Sequence, residues 1–190
     1  ESGSEEVRQH MKKGYTNEDL YYSLNEIFKN NIKVRFLMII GYPTETAEDF
    51  QKTLDLFDHY AEYGRSGLVE EINLGLTLNL LPNTPLFDNA EKYGLETTKK
   101  HINDWICTQN PTLDYRERLK RRIKAQHYLE NLGYKVFESK NYLRALSIAW
   151  SEISRIESKR IKKIDSTKIK FDREKGGLAE IPDFDPLRTY

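Results

Sequence analysis

The sequence predicts an α/β fold with parallel strand pairing, followed by an α-helical C-terminal extension. Three observations carry that prediction. Two apolar, strand-like runs alternate with amphipathic helical patterns between residues 16 and 93, the pattern of β/α units around a parallel sheet. Each run leads into turn-forming residues, Gly41-Tyr42-Pro43 and Leu81-Pro82-Asn83. From about residue 112 the strand pattern stops and apolar residues recur at helical spacing.

Taken in order, residues 5–13 read as a short helix stopped by Gly14. Thr16 caps the next helix, and Asp19 lies near the positive end of its dipole. Leu20, Leu24, Ile27 and Phe28 share one apolar face, and Asn30-Asn31 marks the stop. Residues 32–40 form the first strand. Val34 and Phe36 alternate with Lys33 and Arg35, and then the run Phe36 to Ile40 is continuously apolar, as in a strand covered on both faces. Thr46-Ala47-Glu48-Asp49 opens a third capped helix with Phe50, Leu54, Phe57 and Ala61 inward, ended by Gly64. The second strand is placed at 72–81, ending where Pro82 cannot continue a ladder. A short helix over 85–93 precedes Gly94. Leu119, Ile123, Leu129 and Leu132 mark a helix ended by Gly133, and Leu143, Leu146, Trp150, Ile153 and Ile156 mark a long one. Residues 166–190, with Gly176-Gly177, Pro182 and Pro186, read as an extended tail.

Composition narrows the function classes. The chain has 190 residues, 38% hydrophobic and 32% charged, and no window approaches the roughly 18 uncharged apolar residues of a membrane span. No signal peptide is visible, and the single cysteine, Cys107, excludes an internal disulfide framework and a multi-cysteine metal site. A reducing, cytoplasmic setting is expected. Charge balances at 30 basic and 30 acidic residues, but residues 1–70 carry 8 basic and 13 acidic, and residues 101–170 carry 16 basic and 8 acidic. The basic runs at 116–124 and 155–170 suit phosphates or nucleic acid, or the solvated faces of surface helices.

Familiar catalytic constellations are missing. His10, His59, His101 and His127 are scattered without ligand spacing, and no nucleophile elbow or phosphate loop occurs. No catalytic or metal-binding residue is therefore assigned. Trp105, Tyr115 and Trp150 fit either a substrate pocket or packing roles. What remains is three strand-end loops, the usual ligand position in β/α folds: Glu1-Ser2-Gly3-Ser4, Gly41 to Thr46, and Leu80 to Asn83. The first offers a carboxylate and hydroxyls for ribose or an ammonium group, with Lys13 available to a carboxylate. The second offers a glycine that a flat ligand can approach closely. The third offers apolar side chains and backbone groups to a heterocycle. Together they suit an amino-acid nucleoside.

Three runs carry a family resemblance. Glu1-Ser2-Gly3-Ser4-Glu5-Glu6-Val7 leads to Met11-Lys12-Lys13-Gly14-Tyr15-Thr16. Phe36 to Phe50 reads FLMIIGYPTETAEDF. Asn83-Thr84-Pro85-Leu86-Phe87 is followed by Ala90-Glu91-Lys92-Tyr93-Gly94. In this order and spacing they resemble the middle of radical S-adenosylmethionine enzymes, over residues 1 to about 95. The stretch from Asp104-Trp105 to Leu132-Gly133 is weakly similar to the helical tail of the subgroup with a cobalamin domain ahead of the radical domain.

The resemblance implies the C-terminal part of a partial (β/α)6 TIM-like barrel over residues 1–95, a helical extension over 96–165 and a tail over 166–190. It implies S-adenosylmethionine and a 4Fe–4S cluster as cofactors, reductive cleavage to a 5′-deoxyadenosyl radical, and cobalamin in the favoured subgroup. Glu1 and Ser2 match the fourth-strand polar motif at the ribose and methionine portion. Lys13 matches a position that binds the methionine carboxylate. Ile39 and Gly41 match the fifth-strand motif at adenine, and Leu81 and Pro82 fall near the sixth-strand adenine contact. The three-cysteine cluster motif is absent, so the chain is expected to be an inactive portion whose cluster ligands and partner lie in an N-terminal half of the same protein. The substrate is left open. A different class is the alternative: a non-catalytic helical module binding a protein or nucleic acid through the basic 116–170 region. The bare edge of strand 32–40 further suggests a homodimer through that edge.

Overall fold

Two threonines start the helices that cover the sheet. In the computed structural model, which describes residues 1–75, 78–97 and 105–137 together with Ser151 and Arg155, Thr16 and Asp19 close a capping box on α2 (Asn17–Lys29). Thr46 and Asp49 do the same on α3 (Ala47–His59). In each box, side chain and backbone satisfy each other's free groups at the helix start. Ser4 caps the shorter α1 (Glu5–His10). Both capped starts match the sequence reading. The helix at 5–13 is shorter than expected, ending before Lys12 and Gly14, whose φ angles are +59° and +68°.

Strands β1 (Val34–Leu37) and β2 (Val69–Asn73) pair in parallel, with Phe36 beside Ile72 and Leu37 beside Asn73. Two further lanes extend this pair. Ile39 N donates to Glu1 O at 2.8 Å, and Ile72 bridges Val136 in parallel, with Phe137 N donating to Ile72 O at 2.8 Å. The order across the strand ends is therefore Glu1, β1, β2 and the segment around Val136. The backbone edge expected to recruit a second copy is partly occupied at Ile39.

Alternation divides the sheet. Phe36, Met38, Ile40, Ile72 and Leu74 point toward α2 and α3, where they meet Leu24, Phe28, Phe50, Leu54 and Phe57. Arg35, Leu37, Ile39, Glu71 and Asn73 take the opposite face. Leu37 is 68% exposed there, and Phe137 on the neighbouring lane is 42% exposed. Among the described residues the sheet is thus covered on one face, not both. The continuous apolar run of β1 reflects one buried side and one side that no described residue covers.

Two element readings are corrected. The second strand was expected at 72–81, but β2 ends at Asn73 and the chain turns at Gly75 (φ +60°). Leu80 instead packs with Leu95, Trp105 and Cys107 in a separate cluster. That cluster sits on an antiparallel pair, β3 (Leu95–Thr97) with β4 (Trp105–Cys107), which no sequence signal announced. Gly64 does not end α3. It lies within the short α4 (Ala61–Arg65), where a side chain would meet the Tyr134 ring at 2.5 Å. The helix expected over 85–93 is α5 (Pro85–Asp88) and a 3₁₀ turn at Glu91–Tyr93, and the helix near 119–132 is α6 (Tyr115–Asn131). The expected helix at 143–156 and the tail at 166–190 lie outside the described residues, apart from Ser151 and Arg155. The chain divides into two units, residues 1–138 and 139–190. No helix among the described residues is long and apolar enough to cross a membrane.

The Gly64–Tyr134 contact yields a test. Gly64→Ala should lower unfolding stability by about 1–3 kcal/mol through overpacking, read from a urea titration. A midpoint equal to that of the parent sequence would contradict the packing.

Candidate functional site

The carboxyl ends of the parallel lanes converge on Glu1, Ile39 and Asn73, which are linked across the sheet: Ile39 N donates to Glu1 O, and Met38 N to Asn73 O at 2.7 Å. Glu1 forms an ion pair with Lys13, and both side chains keep about a third of their surface exposed. Ile39 faces the uncovered side next to exposed Leu37. Three of the expected residues, Glu1, Lys13 and Ile39, are thus brought to one place.

Ser2 is placed differently from a residue that faces ligand. It is 3% exposed, its hydroxyl lies 3.4 Å from Thr53 Oγ1 on α3, and it accepts from Ser4 N. Gly3 makes this docking possible, since a Cβ there would lie 2.5 Å from Lys52 O. Ser4 Oγ continues the contact by donating to Asp49 Oδ1 at 2.6 Å. Burial acts against the Asp49 carboxylate, but the hydrogen bonds from Ser4 and Thr46 hold its pKa below the ordinary value. The segment Ser2-Gly3-Ser4 therefore fixes the approach of the chain to the strand ends.

Gly41 has φ +78°, a left-handed conformation that favours glycine. A side chain there would also meet Arg118 Cγ at 2.6 Å. Its small size is used by the stem of an arginine. Leu81 and Pro82 lie beyond the end of β2 and outside its strand-end turn, which is formed by Asn73, Leu74 and Gly75. Leu81 is half exposed, and its carbonyl accepts from Thr84.

The functional geometry that sequence reasoning missed lies on α6. Arg118, Arg121 and Arg122, taken as part of a basic surface run, are all buried. Arg118 Nη1 donates to Trp105 O at 3.1 Å and Leu113 O at 2.8 Å, and its guanidinium lies 3.6 Å from the centre of the Trp105 ring. Trp105 itself is a core residue whose indole N–H donates to Leu78 O. Arg121 Nη1 donates to Glu45 Oε1 at 3.0 Å, Glu45 O at 3.1 Å and Thr46 O at 2.9 Å, while its Nε reaches Glu117. Arg122 Nε donates to Gly75 O at 2.7 Å. One helix thus holds the turns after both β1 and β2. The i, i+3, i+4 spacing beside Leu119 and Ile123 was the available signal.

Glu45 is the counterpart of this face. It is fully buried, Gly41 N donates to its Oε1 at 3.1 Å, and Asn110 Nδ2 donates to the Pro43 and Glu45 carbonyls. Burial pushes its pKa up to about 7, outweighing Arg121 and the Gly41 amide, which favour the ionised form.

Cys107 is buried and its thiol donates to Tyr93 O at 3.4 Å, so it is part of the β3–β4 core. No group of three or more His, Cys, Asp or Glu placed to hold a metal ion occurs among the described residues. A 380 Å³ cleft lies at the opposite, amino ends of the strands, among Lys33, Arg35, Glu70, Glu71 and Lys135. Those charges pair with one another, which leaves the carboxyl ends as the candidate site.

Comparison with known proteins finds relatives that share one name. Over 108 residues the chain is 27% identical to the tRNA-2-methylthio-N(6)-dimethylallyladenosine synthase of Buchnera aphidicola subsp. Schizaphis graminum, covering 54% of this chain and 22% of that protein. It is 30% identical over 135 residues to the synthase of the same name from Petrotoga mobilis, covering 68% and 27%. A shorter match, 43% identical over 61 residues, is to the Hydrogenobaculum synthase and covers 30% and 13%. The chain thus spans about a quarter or less of the length of these relatives. No family model and no solved structure matches it. These relatives support the resemblance of the chain to the radical S-adenosylmethionine superfamily.

The raised pKa of Glu45 sets a pH dependence. A folded-state value near 7 against an ordinary 4.5 means that folding takes up a proton between them. The contribution of Glu45 is therefore full below the lower value and lost as pH rises through the upper one. Relative to Glu45→Gln, stability should fall by up to about 3 kcal/mol from pH 5 to pH 8. Urea unfolding of both proteins at the two pH values measures it, and parallel pH profiles would contradict it.

Proposed function

We propose that the chain is part of a longer radical S-adenosylmethionine enzyme, in which it supplies the back half of a partial (β/α)6 barrel and one wall of the S-adenosylmethionine site. The observation that carries this reading is the parallel sheet, covered on one face only among the described residues, whose other face presents Ile39 and Leu37 beside the Glu1–Lys13 pair at the carboxyl ends of the strands.

The residues fit parts of the cofactor unequally. Ile39 and Leu37 offer an apolar surface for adenine next to the rigid Gly41 turn. Glu1 offers a carboxylate about a third exposed for a hydroxyl or ammonium group, and Lys13 offers the countercharge for the methionine carboxylate. Ser2 is engaged by α3, and Leu81 and Pro82 are outside the strand-end turns, so these three carry no role in the proposal. The cluster does not fit here, since the one cysteine is buried in a core. Its ligands are proposed to lie elsewhere in the longer protein. The chemistry that such a cluster and S-adenosylmethionine supply together is reductive cleavage of the sulfonium and hydrogen abstraction by a 5′-deoxyadenosyl radical. This chain's residues would orient the nucleoside and exclude water behind it.

The names of the relatives point to the substrate class. We propose an adenosine in tRNA, modified by methylthiolation. None of those names supports cobalamin. The rest of the longer protein would cover the face of the sheet that no described residue covers, and a strand of it at the β1 edge would take the place of a second copy there. The alternative reading, a nucleic-acid- or protein-binding helical module at 116–170, loses ground because three arginines of its first run are buried. A soluble cytoplasmic protein fits all of this.

The test uses the full-length protein carrying this segment, purified and reconstituted without oxygen. It should form 5′-deoxyadenosine on reduction with S-adenosylmethionine. Ile39→Asp, which puts a charge on the proposed adenine wall, should raise the KM for S-adenosylmethionine about tenfold or more. Absence of 5′-deoxyadenosine from a cluster-loaded protein, or an unchanged KM, would overturn the reading.

A further inference from the structure

We infer that Arg121 is a positioning residue for the nucleoside site: from α6, it sets the turn Gly41 to Thr46 that the proposed adenine wall leads into. The inference rests on the reading above and goes beyond it, because Arg121 lies 76 residues from Glu45 in sequence and outside the three motifs of the resemblance.

The geometry is a convergence on one short turn. Arg121 Nη1 donates to the Glu45 carboxylate and to the Glu45 and Thr46 carbonyls. The same carboxylate oxygen, Oε1, accepts from Gly41 N. The turn is therefore tied at its first residue and at its last two through one guanidinium and one carboxylate. Asn110 adds two bonds, to the Pro43 and Glu45 carbonyls. One helical turn earlier on α6, the Arg118 stem packs over Gly41. Glu117 orients Arg121 by accepting from its Nε at 3.1 Å.

This arrangement is more than core filling. Burying an ion pair is a poor way to gain stability, because desolvation opposes the attraction. Glu45 Oε2 is also buried without a hydrogen-bond partner, an energetic cost that an apolar pair would avoid. What the pair does supply is direction. Planar, multi-donor contacts fix the turn's carbonyls and the Gly41 amide in one arrangement. Ile39, two residues before Gly41, then has a defined position on the open face.

The experiment measures S-adenosylmethionine binding by equilibrium dialysis on the full-length, cluster-reconstituted protein, together with KM and kcat for its cleavage. Iron content and thermal unfolding are checked in parallel. Arg121→Met should weaken binding and raise KM by about ten- to a hundredfold, with kcat within about twofold and iron content unchanged. Arg121→Lys, which keeps the charge but not the fork, should recover part of that loss. Glu117→Gln, at a partly exposed position, should weaken binding by up to about fivefold, and it decides the question if Arg121→Met does not fold. Wild-type affinity in a folded Arg121→Met protein, or in Glu117→Gln where only that variant folds, overturns the inference. A wild-type protein that fails to bind S-adenosylmethionine overturns instead the reading on which it rests.

Discussion

The contact between one face of α6 and the turns after β1 and β2 constrains everything near the candidate site. Arg118, Arg121 and Arg122 are buried within a little more than one helical turn, and each ends on backbone carbonyls, those of Arg118 just before the helix and those of Arg121 and Arg122 from distant parts of the chain. Backbone carbonyls at strand ends have no ladder partner and must be satisfied somewhere. Here cationic side chains satisfy them, and the helix is oriented as a consequence. Ala125 and Leu129, further along α6, then reach the main core beside Leu54 and Phe57. The polar end of the helix holds the strand-end turns, and the apolar end anchors it.

The sheet shows the complementary constraint. Its helix-facing side holds the aromatic core, with Phe36 against Phe57 and Phe57 against Tyr134 at ring-centre distances of 5.2 and 5.5 Å. Its other side exposes Leu37 and Phe137 between charged residues. An apolar surface of this kind gains free energy only when covered. Strand ends, a face uncovered among the described residues and the left-handed Gly41 turn are thus joined in one region, and that conjunction supports a barrel wall and a nucleoside site in the proposed longer enzyme.

Legibility in the sequence followed the range of the interactions. Thr16 with Asp19 and Thr46 with Asp49 act over three residues, and both helix starts could be read directly. The first strand was legible from its apolar run, and the ordered motifs named Glu1, Lys13 and Ile39, which the structure brings next to one another. The end of the second strand was not. Leucines continue at every second position past Gly75, so the alternation outlasts the strand, and the left-handed turn at Gly75 is what ends it. The β3–β4 pair has three residues on each side, too short for a pattern. Charge on α6 was misleading for a physical reason. An arginine is buried only where acceptors await it, and those acceptors, at residues 45, 46, 75, 105 and 113, are fixed by tertiary structure.

The central claim is that the uncovered face at Ile39 and Leu37 is where the nucleoside of S-adenosylmethionine lies. Photolabelling addresses it most directly, using an azido-adenine analogue of S-adenosylmethionine on the full-length protein, followed by trypsin digestion and mass spectrometry. The account predicts adducts on the peptide from Phe36 to Lys52, centred on Leu37 to Gly41 and suppressed by excess S-adenosylmethionine. Competable labelling confined to other peptides, such as the outward side of α6 around Lys120 and Lys124, would contradict it.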